Sequence, residues 1–136
     1  MLQTLKYTPK ISTTILFFVL LIAVFLLFLG RNNPGLRVDY LMQAFPDFYQ
    51  HISNFCISYL LFSGIGYFWL FMGVPLKAIV AFGLVLLFAN FIYELWIPLI
   101  NTPDIIDAYY DAWGTLLGFA FLLWTKCYGL NPVKKD

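Results

Sequence analysis

The chain has 136 residues, of which 62% are hydrophobic and 11% charged, with a formal net charge of +1. A soluble domain wets its surface with about 25% charged residues, so this composition argues against a soluble globular enzyme, a nucleic-acid binder and a disordered linker. The class left is an integral membrane protein, for which membrane lipids are the first expected partner and nucleic acid is not one.

The first apolar run extends from Ile11 to Leu29, and from Ile15 onward it contains no polar residue. Its length suits a single crossing, because a helix of about 20 residues spans the hydrocarbon core. Ser12, Thr13 and Thr14 carry hydroxyls that can bond within a helix. Lys6 and Lys10 precede the run, but Leu29-Gly30-Arg31-Asn32-Asn33-Pro34 offers no small-x-small cleavage site, so a retained anchor is expected. With no polar face to place inside, this helix should be peripheral and face lipid.

Gly30 to Pro46 reads as a connector. Asn32, Asn33, Pro34 and Gly35 give a strong turn signal. Arg37 and Asp39 keep the segment wet, and Leu36, Tyr40, Leu41 and Phe45 suit a segment resting at the membrane interface. The second helix is expected over 47–72, opening at Asp47 just after Pro46. Ser53, Asn54, Ser58, Ser63, Gly64 and Gly66 make it too polar for full lipid exposure. Gly73 and Pro75 turn the chain into a third helix over 75–95, antiparallel to the second, which bends or ends near Pro98. Thr102, Pro103 and Asp104 open a fourth helix over 104–128, and Asn131 and Pro132 close it.

Tyr and Trp gather near helix ends, as in interfacial belts. The runs are continuous rather than alternating, which excludes a β-barrel. The expected fold is therefore all-α: residues 1–136 as one domain, an antiparallel up-down bundle of four membrane helices. Cys56 and Cys127 read as buried thiols. With His51 as the only histidine and no CxxC, neither a disulfide framework nor a structural zinc site is expected, and no cofactor motif is present.

Four crossings put both termini on one side with Lys6, Lys10, Lys77, Lys126, Lys134 and Lys135, leaving only Arg31 and Arg37 on the other. The positive-inside rule makes the lysine side cytoplasmic. Asp39, Asp47, Glu94, Asp104, Asp107 and Asp111 all fall toward the outer side.

Those acids form a pattern. Asp47 and His51 are four apart, and Asn54 and Ser58 continue the same helical face. Asn90 and Glu94 are four apart at the outer end of the third helix. Asp104, Asp107, Asp111, Gly114 and Gly118 make one stripe on the fourth, acidic at its outer part and small at its inner part. Antiparallel packing brings these segments to one depth, and glycines allow close helix approach. Asp47, His51, Glu94, Asp107 and Asp111 are therefore the expected site, since ionisable groups in a membrane helix point to function by default. Three chemistries fit such a set: holding a divalent cation through hard oxygen ligands, general acid–base work, or binding the cationic or hydroxyl-rich part of a lipid-linked ligand. A bound metal is the least expected of them.

Two blocks resemble the VanZ-like family of small bacterial membrane proteins. In the first, Asp47, His51 and Phe55 match a pattern of Asp-Lys-x-x-His with an aromatic residue four positions on, and Phe48 stands in the lysine position. In the second, Glu94, Asp107, Gly114 and Gly118 match, Asp111 replaces an asparagine, and Ile97 stands where glutamine is usual. The resemblance implies a bacterial inner-membrane protein of the cell envelope, in a family associated with glycopeptide resistance. The family's biochemical activity is unsettled; the acidic cluster on the outer side is what points to an enzyme or binding site for an envelope lipid or lipid-linked sugar. The competing reading is an accessory subunit of a larger membrane complex, suggested by the short loops and the many glycines and aromatics.

Overall fold

The computed structural model describes residues 5–97 and 102–134, and Pro98 and Lys135 lie outside them. The chain is mostly helical. A short strand β1 (Tyr7–Pro9) leads into α1 (Ile11–Leu29). A 3-10 turn at Pro34–Leu36 and a short α2 (Asp39–Ala44) fill the connector. Three long helices follow, α3 (Phe48–Met72), α4 (Leu76–Trp96) and α5 (Ile105–Tyr128), and then strand β2 (Leu130–Pro132).

Helices α1, α3 and α4 are long and apolar enough to cross a membrane. The fourth long helix, α5, has the length at 24 residues, but Asp107, Asp111 and Lys126 lower its hydropathy. Helix ends follow local chemistry. Pro46 precedes α3, Gly73 in the left-handed region (φ 77°) ends it, and Asp104 caps α5 by accepting a hydrogen bond from the Ile106 N–H at 2.9 Å.

The most extensive packing is between α3 and α5, with α4 lying against α5 and α1 against α3. Gly114 explains the closeness. A methyl group at its α-carbon would run into the Phe55 carbonyl oxygen, so the two backbones approach here as only glycine permits. One apolar cluster gathers Phe62, Tyr67, Leu70, Ile79, Phe121 and Leu122; another holds Val24, Tyr49, Ile52, Cys56 and Tyr59.

Helix α1 is the outermost. Ile15, Phe18, Val19, Ile22 and Phe25 all point away from the protein, and only Thr13 and Val24 are buried. A Phe25→Leu change should therefore move the unfolding free energy by no more than about 0.5 kcal/mol, read from detergent denaturation of the purified chain.

The fold is all-α apart from one short clasp of two three-residue strands. In it β1 and β2 pair antiparallel, with Tyr7 opposite Pro132. Thr13 reinforces the clasp: its hydroxyl donates to the Gly129 carbonyl at 2.9 Å, while the Lys10 N–H donates to the same carbonyl at 2.8 Å. The Lys6 N–H donates to the Phe71 carbonyl at 2.9 Å. Cys56 is buried as expected, with its thiol 3.4 Å from the Val24 carbonyl oxygen, whereas Cys127 is exposed on the outer face of α5.

Candidate functional site

The polar residues converge where α3 begins, α4 ends and α5 begins. His51 sits one turn into α3, Asp107 in the first turn of α5, and Asp111 one turn further on. His51 is 9% exposed, Asp107 8%, Asp111 7% and Glu94 6%. Buried polar groups are expensive unless they find partners, so their contacts carry the meaning.

His51 Nδ1 lies 2.6 Å from Asp107 Oδ1. Asp104 Oδ2 is 3.9 Å from the same nitrogen. With a carboxylate on Nδ1, the ring is held in one orientation and Nε2 becomes the nitrogen open to a ligand. Among the described residues Nε2 has no hydrogen-bond partner. One turn deeper, Asp111 Oδ1 accepts from the Ser58 hydroxyl at 2.6 Å, and the Asn90 amide donates to Ser58 Oγ at 3.0 Å. This chain of bonds crosses α4, α3 and α5 and fixes the floor beneath His51. Glu94 makes no hydrogen bond among the described residues, and it lies within reach of the charges of Asp104, Asp107 and Asp111.

Four of the five expected site residues, His51, Glu94, Asp107 and Asp111, are thus buried at one end of the molecule. Asp47 is the departure. It is exposed and makes no bond to His51, because it flanks α3 with φ −92° and ψ 7° rather than lying within it. Side chains four apart stack only when both residues are helical, so His51 turns to α5 for its carboxylates instead. Asp104, read from sequence chiefly as a cap, both caps α5 and faces His51. The atoms of His51, Asp104 and Asp107 that could ligate an ion all lie within 4.8 Å of one another. One imidazole nitrogen and two carboxylate oxygens make a donor set that a divalent cation accepts.

Beside the imidazole is an apolar groove of about 430 Å³, walled by Phe45, Phe48, Phe55, Tyr109, Tyr110 and Trp113. The Tyr110 ring is 5.4 Å from that of His51 and 5.9 Å from that of Phe48, so this one ring joins the groove wall to the polar pair. Sequence reasoning missed this groove. Its rings come from the connector, α3 and α5, and each alone looks like an interfacial anchor. The only available signal was the spacing of Tyr109, Tyr110 and Trp113 around Asp111.

No family model matches the chain, and neither a curated protein nor a solved structure does.

Proposed function

We propose that the chain is a VanZ-like bacterial inner-membrane protein whose outer-facing His51–Asp107 site binds or processes the polar head of a cell-envelope lipid or lipid-linked sugar. The observation that carries this reading is the juxtaposition of a buried His–Asp pair with an aromatic groove. An amphipathic ligand needs both: an apolar wall for its chain and a few polar groups that fix its head. The two sequence blocks that carry the family resemblance also meet here, since His51 comes from the first and Asp107 from the second. In this reading α5 is a fourth crossing, its acids are turned toward α3 and α4, and both termini are cytoplasmic.

His51 has the geometry of a positioned acid–base group: Asp107 on Nδ1 and a free Nε2. Such groups contribute about 10²–10⁴ in rate where a proton moves. Native mass spectrometry of the protein released from bacterial membranes tests the reading. Wild type should retain an envelope lipid or lipid-linked sugar, and His51→Gln should lose most of it. Equal retention by the two would count against the site. A stable partner chain retained regardless of His51 would favour the accessory-subunit reading.

The topology has its own check. Reporter fusions at both ends should give cytoplasmic signals, following the six-to-two division of basic residues. A periplasmic signal from the C-terminal fusion would remove α5 as a crossing.

A further inference from the structure

A second polar pocket lies on the other side of α3 from His51. It has a volume of about 380 Å³, and its walls include Arg31, Asn32, Arg37, Tyr49 and Gln50. Tyr49 and His51 are two residues apart on one helix, so they point to nearly opposite faces. This pocket therefore does not share the His51 site and does not rest on the function proposed above.

Its two guanidiniums are held from behind. Arg37 donates from Nε to the Gly30 carbonyl at 2.8 Å and from Nη2 to the Arg31 carbonyl at 2.9 Å, and its guanidinium carbon stands 5.3 Å from the centre of the Tyr49 ring. Arg31 donates from Nη1 to the Ser53 hydroxyl on α3. Tyr49 is itself pinned. Its ring occupies the space a side chain on Gly30 would need, and its hydroxyl accepts from the Val38 N–H at 2.9 Å. One aromatic ring thus ties together the end of α1, the connector and the start of α3, and sets both arginines around one opening.

Each guanidinium has five N–H donors, and most remain unspent here. Among the described residues neither arginine has a carboxylate oxygen within 4.0 Å, although Asp39 and Asp47 lie on the same stretch of chain. Two guanidiniums without a carboxylate partner, Arg37 braced by backbone carbonyls and Arg31 by the Ser53 hydroxyl, line one cavity and have the form of an anion receptor.

We propose that the Arg31–Arg37 pocket binds a phosphate group. The planar forks of two arginines match the oxygens of a phosphate better than lysines would, and the amides of Asn32 and Gln50 add neutral donors at the rim. The group can come from an anionic lipid headgroup or from a soluble phosphate.

The test uses the full chain in a non-ionic detergent. Binding of phosphatidic acid, of neutral diacylglycerol and of inorganic pyrophosphate is measured for wild type, for Arg31→Gln/Arg37→Gln, for Arg31→Lys/Arg37→Lys and for Lys77→Gln at the opposite end. Wild type should bind phosphatidic acid in preference to diacylglycerol. The glutamine pair should weaken that binding by at least about tenfold, as expected when charge-assisted hydrogen bonds are lost. The lysine pair should fall between them, and Lys77→Gln should match wild type. Pyrophosphate binding of similar strength would identify the phosphate alone as the determinant; binding of the lipid only would identify the headgroup in its membrane setting. The proposal is overturned if wild type binds none of the phosphate probes, a result that does not depend on whether any variant folds. It is equally overturned if a folded glutamine pair, verified by circular dichroism, binds phosphatidic acid as wild type does.

Discussion

Replacing Gly114 with valine should destabilise the protein by about 3 kcal/mol or more, at the upper end of the range for overpacked sites. The reason is the nature of the contact. A side chain at this position meets the Phe55 carbonyl oxygen and the Tyr59 backbone nitrogen, not the movable end of another side chain. Relief would require α5 to back away from α3, which would also pull Asp107 from His51 and Asp111 from Ser58. Gly64 supplies the control. It is exposed on α3 with open space around its α-carbon, so Gly64→Val should change stability by no more than about 0.5 kcal/mol. Denaturation of both variants by a mixed-detergent titration gives the comparison. Equal stability of the two would mean that α3 and α5 do not pack at this register.

The second large effect concerns the polar pair. Asp107→Asn keeps the volume of the side chain but removes the charge that holds the His51 ring by Nδ1. If a proton moves in the reaction, turnover should fall by about 10²–10⁴, the usual contribution of a positioned acid–base group. If the site only binds, affinity should fall by roughly tenfold, the weight of one charge-assisted hydrogen bond. Glu94→Gln separates function from packing in the same way. It preserves shape and removes the ionisable carboxyl, so the variant should insert normally yet lose function. An active Glu94→Gln protein together with an active Asp107→Asn protein would reduce the cluster to a structural network.

The helices were legible in the sequence because apolar runs of membrane length are cut cleanly by Pro46, Gly73-Val74-Pro75 and Thr102-Pro103. An expected helix over 47–72 stands at Phe48–Met72, and one over 104–128 at Ile105–Tyr128. The convergence of His51, Glu94, Asp107 and Asp111 could be read from helix direction and four-residue spacing alone. Which carboxylate takes His51 could not. Spacing favoured Asp47, but that residue lies just outside the helix, and the pairing is decided by how Gly114 lets α5 settle on α3. The clasp of β1 and β2 left no trace either. Each strand has three residues and a proline, too short for alternation, and the register comes from tertiary bonds at Thr13 and Gly129. The aromatic groove was hidden for a similar reason, since it exists only once three segments are packed.

In the proposed function, His51, braced by Asp107, meets the polar head of a lipid-like ligand whose apolar part lies in the aromatic groove. Because His51 is the only histidine, nitrogen NMR of the histidine-labelled protein reports on this one ring without ambiguity. The expected spectrum shows a proton on Nδ1, in the hydrogen bond to Asp107. Titration with lipid extracted from bacterial envelopes should shift the Nε2 signal in wild type, and the shift should require a higher lipid concentration in Trp113→Ala, where the groove wall is removed. Lipid that binds the Arg31→Gln/Arg37→Gln protein, whose phosphate pocket is removed, while leaving both imidazole signals unmoved would contradict the claim.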